Sequence, residues 1–319
     1  MQTRIQEVPP LAVAAARAKR LMQVTKGKQD EPIWVLIYGV PKVGKSTFGA
    51  NAPKPIFLGA ESGTAELDVT RLPAIESWAD ALDSIDELTN DPHDYKTLVI
   101  DSLDWLEPYV TRAVLQEAGV KALADMKWGA GYAAVLDKWR ELLKKLELMS
   151  IKRQMHIVLV AHPHIKQVTE PGEETFDKYV LKMNDKSAGL IIEWCKAVLF
   201  AKHESFVVAR EGGDKNAKKS NKATGDGVRI VHTESRPAWV AGNRYSLPQT
   251  IPLDWDEFYA LTRKHTVNVD KLREGILAVI ESMTDPEMKT KASAAYTALA
   301  DNVPKLERFL EFAKAKVSQ

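Results

Sequence analysis

Four stretches of this chain are nearly unbroken apolar runs that end in a polar residue or a glycine loop: PIWVLIYG (32–39), KPIFLGAE (54–61), YKTLVIDS (95–102) and MHIVLVAH (155–162). A strand covered on one face alternates apolar and polar residues. A run this solid is expected where both faces are covered. Helical spacing fills the gaps. In SWADALDSIDELTND the apolar Trp78, Ala81, Leu82, Ile85 and Leu88 share one helix face, and Ser77 with Asp80 three residues later marks a helix start. Residues 104–118 and 131–149 also read as helices. Such alternation predicts an α/β fold, a mostly parallel central sheet flanked by helices. Ligands of these sheets sit at the carboxyl ends of the strands. The four runs bring Gly39, Glu61, Asp101 and His162 there.

The first run leads into GVPKVGKST, residues Gly39, Val40, Pro41, Lys42, Val43, Gly44, Lys45, Ser46 and Thr47. Its two glycines let successive N–H groups turn inward onto phosphate oxygens, and the helix opening at Lys45 adds its positive end. Lys45 is expected on the outer phosphates and Ser46 on a magnesium ion. The context of buried strand, loop and helix confirms the motif. Thr47 is read as helix structure. Asp101 is a candidate second holder of the metal through water; the alternative is a cap for the next helix. Many enzymes of this kind carry a water-activating acid directly beside that aspartate, but here Ser102 and Leu103 follow it. Glu61 then becomes the candidate for activating the attacking water, against the reading of an exposed loop acid. His162, and more weakly His164, could touch the outer phosphate and register its loss; the alternative is a histidine hydrogen-bonded at a strand end.

Past His162 the pattern changes. Residues 163–185 read as polar and irregular, KSAGLIIEWC as a helix, and KAVLFAKHE, SFVVAR, VRIVHTE and PAWVA as short strands that continue the sheet with antiparallel members. EGGDKNAKKSNKATGDG (211–227) reads as a flexible hairpin tip, and from Asp254 onward the chain is helical. Three regions are expected: a basic arm over 1–30, an ATPase core over 31–253 and a helical region over 254–319. The net charge of +1 gives no global pull toward nucleic acid or an anionic membrane, so polyanion binding must be local. No apolar run approaches the length of a membrane helix, the N-terminus lacks a signal-type apolar region, and the single cysteine, Cys195, rules out an internal disulfide. The expectation is a cytoplasmic protein without membrane partners.

In layout the chain resembles the RecA-like core P-loop ATPases. It resembles more narrowly the phage RecA-core proteins grouped as AAA nucleotide-binding proteins, some of which are Sak-type single-strand annealing proteins. GVPKVGKST, FLGAESG, TLVIDSLDWL, VLVAHPH and ESRPAWVAGNRYSLP carry the resemblance, over about residues 33–253. It implies Glu61 as the catalytic carboxylate, Asp101 as the magnesium aspartate, and His162 as the polar residue that couples nucleotide state to DNA through the loop that follows. RecA itself usually has glutamine where His162 stands.

The resemblance also implies ATP and Mg2+ as cofactors, assembly of further copies into a ring or filament, single-stranded DNA as partner, and a single-strand-binding protein beside it. Two loops lie where this fold presents DNA: 119–131, with Lys127 and Trp128, and 163–187, with Lys166, Lys178 and Lys182. Cations with aromatic faces suit single strands. Yet the second loop has four lysines against five acids, so a solvated loop is the other reading. Lys218 and Lys219 in the hairpin tip are candidates for non-specific phosphate contact. Arg244, with Arg236 as second choice, could reach a neighbour's outer phosphate; the alternative is an internal salt bridge. No guanine-reading motif is evident, which favours ATP. The reading is a Mg-dependent ATPase, slow or DNA-stimulated, that promotes annealing or recombination on single-stranded DNA. A motor or nucleotide-gated scaffold acting on a protein or on duplex DNA is the alternative.

Overall fold

The computed structural model describes residues 29–59, 66–169, 174–204, 206–208, 222–224, 227–263, 269–297 and 303–317, with Lys26 and Leu299. The solid apolar runs become the central strands. In chain order come β1 (Trp34–Gly39), α1 (Lys45–Ala50), β2 (Pro55–Gly59), β3 (Thr70–Arg71), α2 (Trp78–Asn90), β4 (Thr97–Asp101), α3 (Leu103–Ala118), two 3-10 turns (Leu123–Asp125 and Lys127–Gly129), α4 (Ala130–Arg153) and β5 (His156–Ala161). The second half holds β6 (Pro163–Val168), β7 (Phe176–Leu181), α5 (Asp185–Trp194), β8 (Ala197–His203), β9 (Phe206–Val208), β10 (Lys222–Thr224), β11 (Arg229–His232), β12 (Gly242–Asn243) and β13 (Thr250–Pro252). The chain then turns helical: α6 (Trp255–Arg263), α7 (Val269–Glu281), α8 (Pro286–Thr297) and α9 (Val303–Val317).

The main sheet runs β13-β11-β8-β1-β5-β4-β2-β3, with β12 pairing β8. From β8 to β3 every pairing is parallel; β11, β12 and β13 are antiparallel. Both faces are covered, which explains the missing alternation. Leu36 and Tyr38 of β1 face one core, shared with α2, α3, α4 and α5, while Val35 and Ile37 face the other, shared with α1 and α6. Each such fully buried side chain contributes roughly 1.5–3 kcal/mol. The start of α2 is a reciprocal capping box: Ser77 Oγ accepts from the Asp80 N–H and the Asp80 carboxylate accepts from the Ser77 N–H.

The second half departs from the sequence reading in three ways. β8 is parallel to β1, not antiparallel, because α5 supplies a crossover that returns the chain to the amino end of the sheet, on the other side of β1 from β5. Residues 163–168 and 176–181 are not irregular but pair as two antiparallel strands, β6 against β7, outside the main sheet. PAWVA is not a strand; its residues brace other segments through single bridges, Tyr179 to Trp239 and Arg236 to Trp239. Among the described residues β9 and β10 pair only with each other, and most of the tip between them, Lys218 and Lys219 included, lies outside the described residues, as does nearly all of the arm 1–30.

Among the C-terminal helices, Ile276, Ile280 and Leu306 make a small separate core. Arg308 of α9 ties them to the main body: it donates to the Asn51 carbonyl at the end of α1 (2.8 Å) and pairs with Asp256 of α6 (2.9 Å). Among the described residues no helix is long and apolar enough to cross a membrane.

Candidate active site

The phosphate loop springs from the centre of the sheet. At Gly39 an added Cβ would lie 1.9 Å from the Ala201 carbonyl oxygen of β8, which also accepts from the Val40 N–H at 3.2 Å. Only glycine fits so close a crossing. A second close approach seats α1: a Cβ at Gly49 would meet Val99 of β4 at 2.8 Å. That contact lays α1 against the strand ending in Asp101 and brings the Ser46 side chain close enough to the Asp101 carboxylate to lower its pKa. The Lys45 ammonium is buried and donates to the Gly39 carbonyl (2.9 Å) and the Val40 carbonyl (3.3 Å). Val43 is buried beneath the loop, whereas Pro41, Lys42 and Thr47 are exposed, and Lys42 adopts a left-handed backbone (φ 62).

Asp101 is buried at the tip of β4, in register with Val160 of β5 and Gly59 of β2. Burial raises its pKa; the Ser46 side chain and the charges of His162 and Lys45 oppose this without cancelling it. Its Oδ2 is buried and meets no hydrogen-bond partner among the described residues. An orphaned carboxylate oxygen beside a serine hydroxyl, within the field of a lysine, is the donor set that a magnesium–phosphate group completes.

The next strand carries a second constellation. Asp104, in the first turn of α3, accepts from the His162 N–H (3.0 Å) and from His162 Nδ1 (3.0 Å to Oδ2). Its side chain is 4% exposed and that of His162 27%. Burial works to raise the Asp104 pKa, but the hydrogen bonds and charge of His162, with Ser102, outweigh it and leave the carboxyl below its usual range. An ionised carboxylate only accepts, so Nδ1 carries the proton and Nε2 is turned away from Asp104. Sequence reasoning considered the position directly after Asp101 and passed over Asp104; its signal was the D-x-x-D spacing, which runs from the end of β4 into the first turn of α3. The His162 carbonyl in turn accepts from the Lys182 N–H (2.9 Å), closing the β6–β7 hairpin on the residue that opens it.

The other candidates are dispersed. Glu61 lies outside the described residues; β2, which leads to it, ends beside Asp101. Lys127 and Trp128 sit in the second 3-10 turn, where Trp128 is 101% exposed and left-handed (φ 57). Lys166 and Lys178 face each other directly across the hairpin; Lys166 pairs with Asp185, and Lys178 lies over Phe176. Lys182 follows β7. Next to Asp104 a cleft of about 480 Å3 is bounded by Glu107, Arg112, Leu123 and Asn184, from α3 and from both candidate DNA loops. Arg244 does not join its own phosphate loop. It follows β12, which pairs with Ala197 at the start of β8, and its guanidinium reaches the Glu193 carbonyl at 3.4 Å. Four strand residues, about 13 Å, separate that level from Gly39. Arg236 is exposed and donates to Gln249. A cation the sequence reading did not single out, Arg229, lies over the loop instead.

An AAA domain family model matches residues 31–245, more than half of the chain and all of the parallel sheet. The chain belongs to the AAA domain family. Over 112 residues it is also 30% identical to the SPbeta prophage-derived uncharacterized protein YorG of Bacillus subtilis (strain 168), a stretch covering 34% of each chain. The match thus spans about a third of that relative's length. The AAA domain is a P-loop ATPase family, and its members usually bind nucleotide with magnesium.

Proposed function

We propose that this AAA protein is a Mg-dependent, RecA-like ATPase that assembles on single-stranded DNA, binds it in the ATP state, releases it on hydrolysis, and promotes annealing in the manner of the Sak-type group. In this reading Lys45 holds the outer phosphates and Ser46 and Asp101 hold the metal, which when bound neutralises phosphate charge. Glu61 orients and deprotonates the attacking water. His162, fixed by Asp104, presents Nε2 to the outer phosphate. Arg244, too far from its own loop, acts on a neighbouring copy in a ring or filament.

The observation that carries the reading is continuity. Asp104 clamps His162, and His162 opens and closes the β6–β7 hairpin. A change at the outer phosphate therefore acts on the root of a ribbon bearing Lys166 and Lys178. The exposed Trp128 offers a ring face for stacking. A strained, fully exposed tryptophan serves no packing purpose, which supports a binding role.

The test is the anisotropy of a labelled oligothymidylate titrated with protein at low salt, in a non-hydrolysable ATP analogue and in ADP. The reading expects tighter binding with the analogue, weakened by salt, and Glu61→Gln holding the DNA-bound state in ATP. Absence of binding in both nucleotides rejects the DNA role, and wild-type turnover by Glu61→Gln rejects its assignment.

A further inference from the structure

The phosphate loop has two flanks. Asp101, Asp104 and His162 occupy the β5–β4 flank. On the β8–β11 flank stands Arg229, the first residue of β11, in register with His203 of β8. Its carbonyl accepts from the Leu253 N–H at 3.3 Å, which pins the start of the strand to the segment after β13. A Cβ on Gly44 would lie 3.2 Å from Arg229 Nη1, 4.0 Å from its Cδ and 3.4 Å from Leu253 Cδ2. The guanidinium and part of its stem thus cover the turn at which the loop enters α1. Among the described residues it pairs with no carboxylate.

We infer that Arg229 is a nucleotide-binding residue of this chain's own site, donating to the inner phosphates, α and β, of a nucleoside di- or triphosphate. The inference rests on the nucleotide reading of the loop. Ser46 and Asp101 fix the metal, and with it the transferable phosphate, on the opposite flank. The loop N–H groups near Gly44 cradle the inner phosphates. A planar guanidinium over that turn matches two phosphate oxygens at once, and no chemistry occurs at its end of the nucleotide. Arg229 therefore strengthens binding of ADP and ATP alike and adds nothing special to the hydrolytic step.

The test measures binding of fluorescent MgADP and of a non-hydrolysable MgATP analogue to wild type, Arg229→Ala and Arg229→Lys, with Lys45→Ala as a control. Steady-state hydrolysis is measured in parallel. Arg229→Ala is expected to weaken both ligands by about tenfold, with the loss of kcat/KM residing in KM, and lysine to restore only part of it. Wild-type ADP affinity in Arg229→Ala overturns the role, whatever happens to turnover. If the wild-type chain binds neither nucleotide, the reading of the loop falls first and this role with it.

Discussion

Asp101 ends β4, and His156 opens the neighbouring β5; both are buried titratable groups, at opposite rims of one sheet. At the amino rim the buried ring nitrogen has its partner. His156 Nδ1 accepts from the Ile33 N–H at 3.0 Å, and its ring packs against Tyr259 and Trp255. Burial, with the charges of Lys196 and Lys96, depresses its pKa to about 4, so the imidazole stays neutral. Lys196 pairs with Glu31 (2.7 Å), donates to the Pro32 carbonyl and lies 4.4 Å from the Trp34 ring centre. At the carboxyl rim, Asp101 is buried with one oxygen unpaired. Buried polar groups are normally satisfied, so the unsatisfied rim is where binding takes precedence over stability.

The sharpest way to break this contrast is Asp101→Asn. If Asp101 serves a ligand and not the fold, hydrolysis falls by about a hundredfold or more, because metal-assisted charge stabilisation amounts to several kcal/mol. The melting temperature holds or rises, because a buried charge has been removed. A variant that melts several degrees lower while keeping its turnover would make Asp101 structural.

The amino rim is tested by pH. The folded-state pKa of His156 lies below its ordinary 6.5, so as pH falls from 6.5 toward 4 the unfolded chain takes up a proton that the folded chain refuses. Its contribution is complete above pH 6.5, falls as the solution is acidified, and levels off below about pH 4. Between pH 7 and pH 5 the loss is about 2 kcal/mol. His156→Asn, whose Oδ1 can accept from Ile33, should flatten that part of the denaturation profile; an unchanged slope assigns it to other groups. The smallest effect belongs to Lys196→Ala. Loss of a half-exposed ion pair and a cation–π contact costs about 1 kcal/mol by urea denaturation and leaves hydrolysis unaltered. A marked loss of turnover there would mean that the two rims are not separable.

What the residues revealed in advance follows the same division. Runs such as VLIYG and LVID announce themselves because strands covered on both faces must be apolar throughout, and the glycine spacing of the loop is a local requirement. The β6–β7 ribbon left no such trace: PHIKQV is largely open to solvent, so it carries little apolar pattern. The direction of β8 was within reach, since a helix directly before it makes a parallel crossover, but the wish to continue the sheet with hairpins hid it. Asp104 was not legible because its partner, His162, comes to it only through the pairing of β4 with β5. Arg229 comes to the loop only through the pairing of β11 with β8, a contact between segments far apart in sequence.

We propose that nucleotide chemistry at the Asp101–His162 rim is linked to single-stranded DNA through the hairpin. The most direct test of this link is the ATPase rate with no DNA, with single-stranded DNA and with duplex, across a salt series. The account predicts stimulation by the single strand alone, strongest at low salt and fading as salt displaces phosphate contacts. If neither DNA changes the rate or the oligomer size at low salt, the link does not exist.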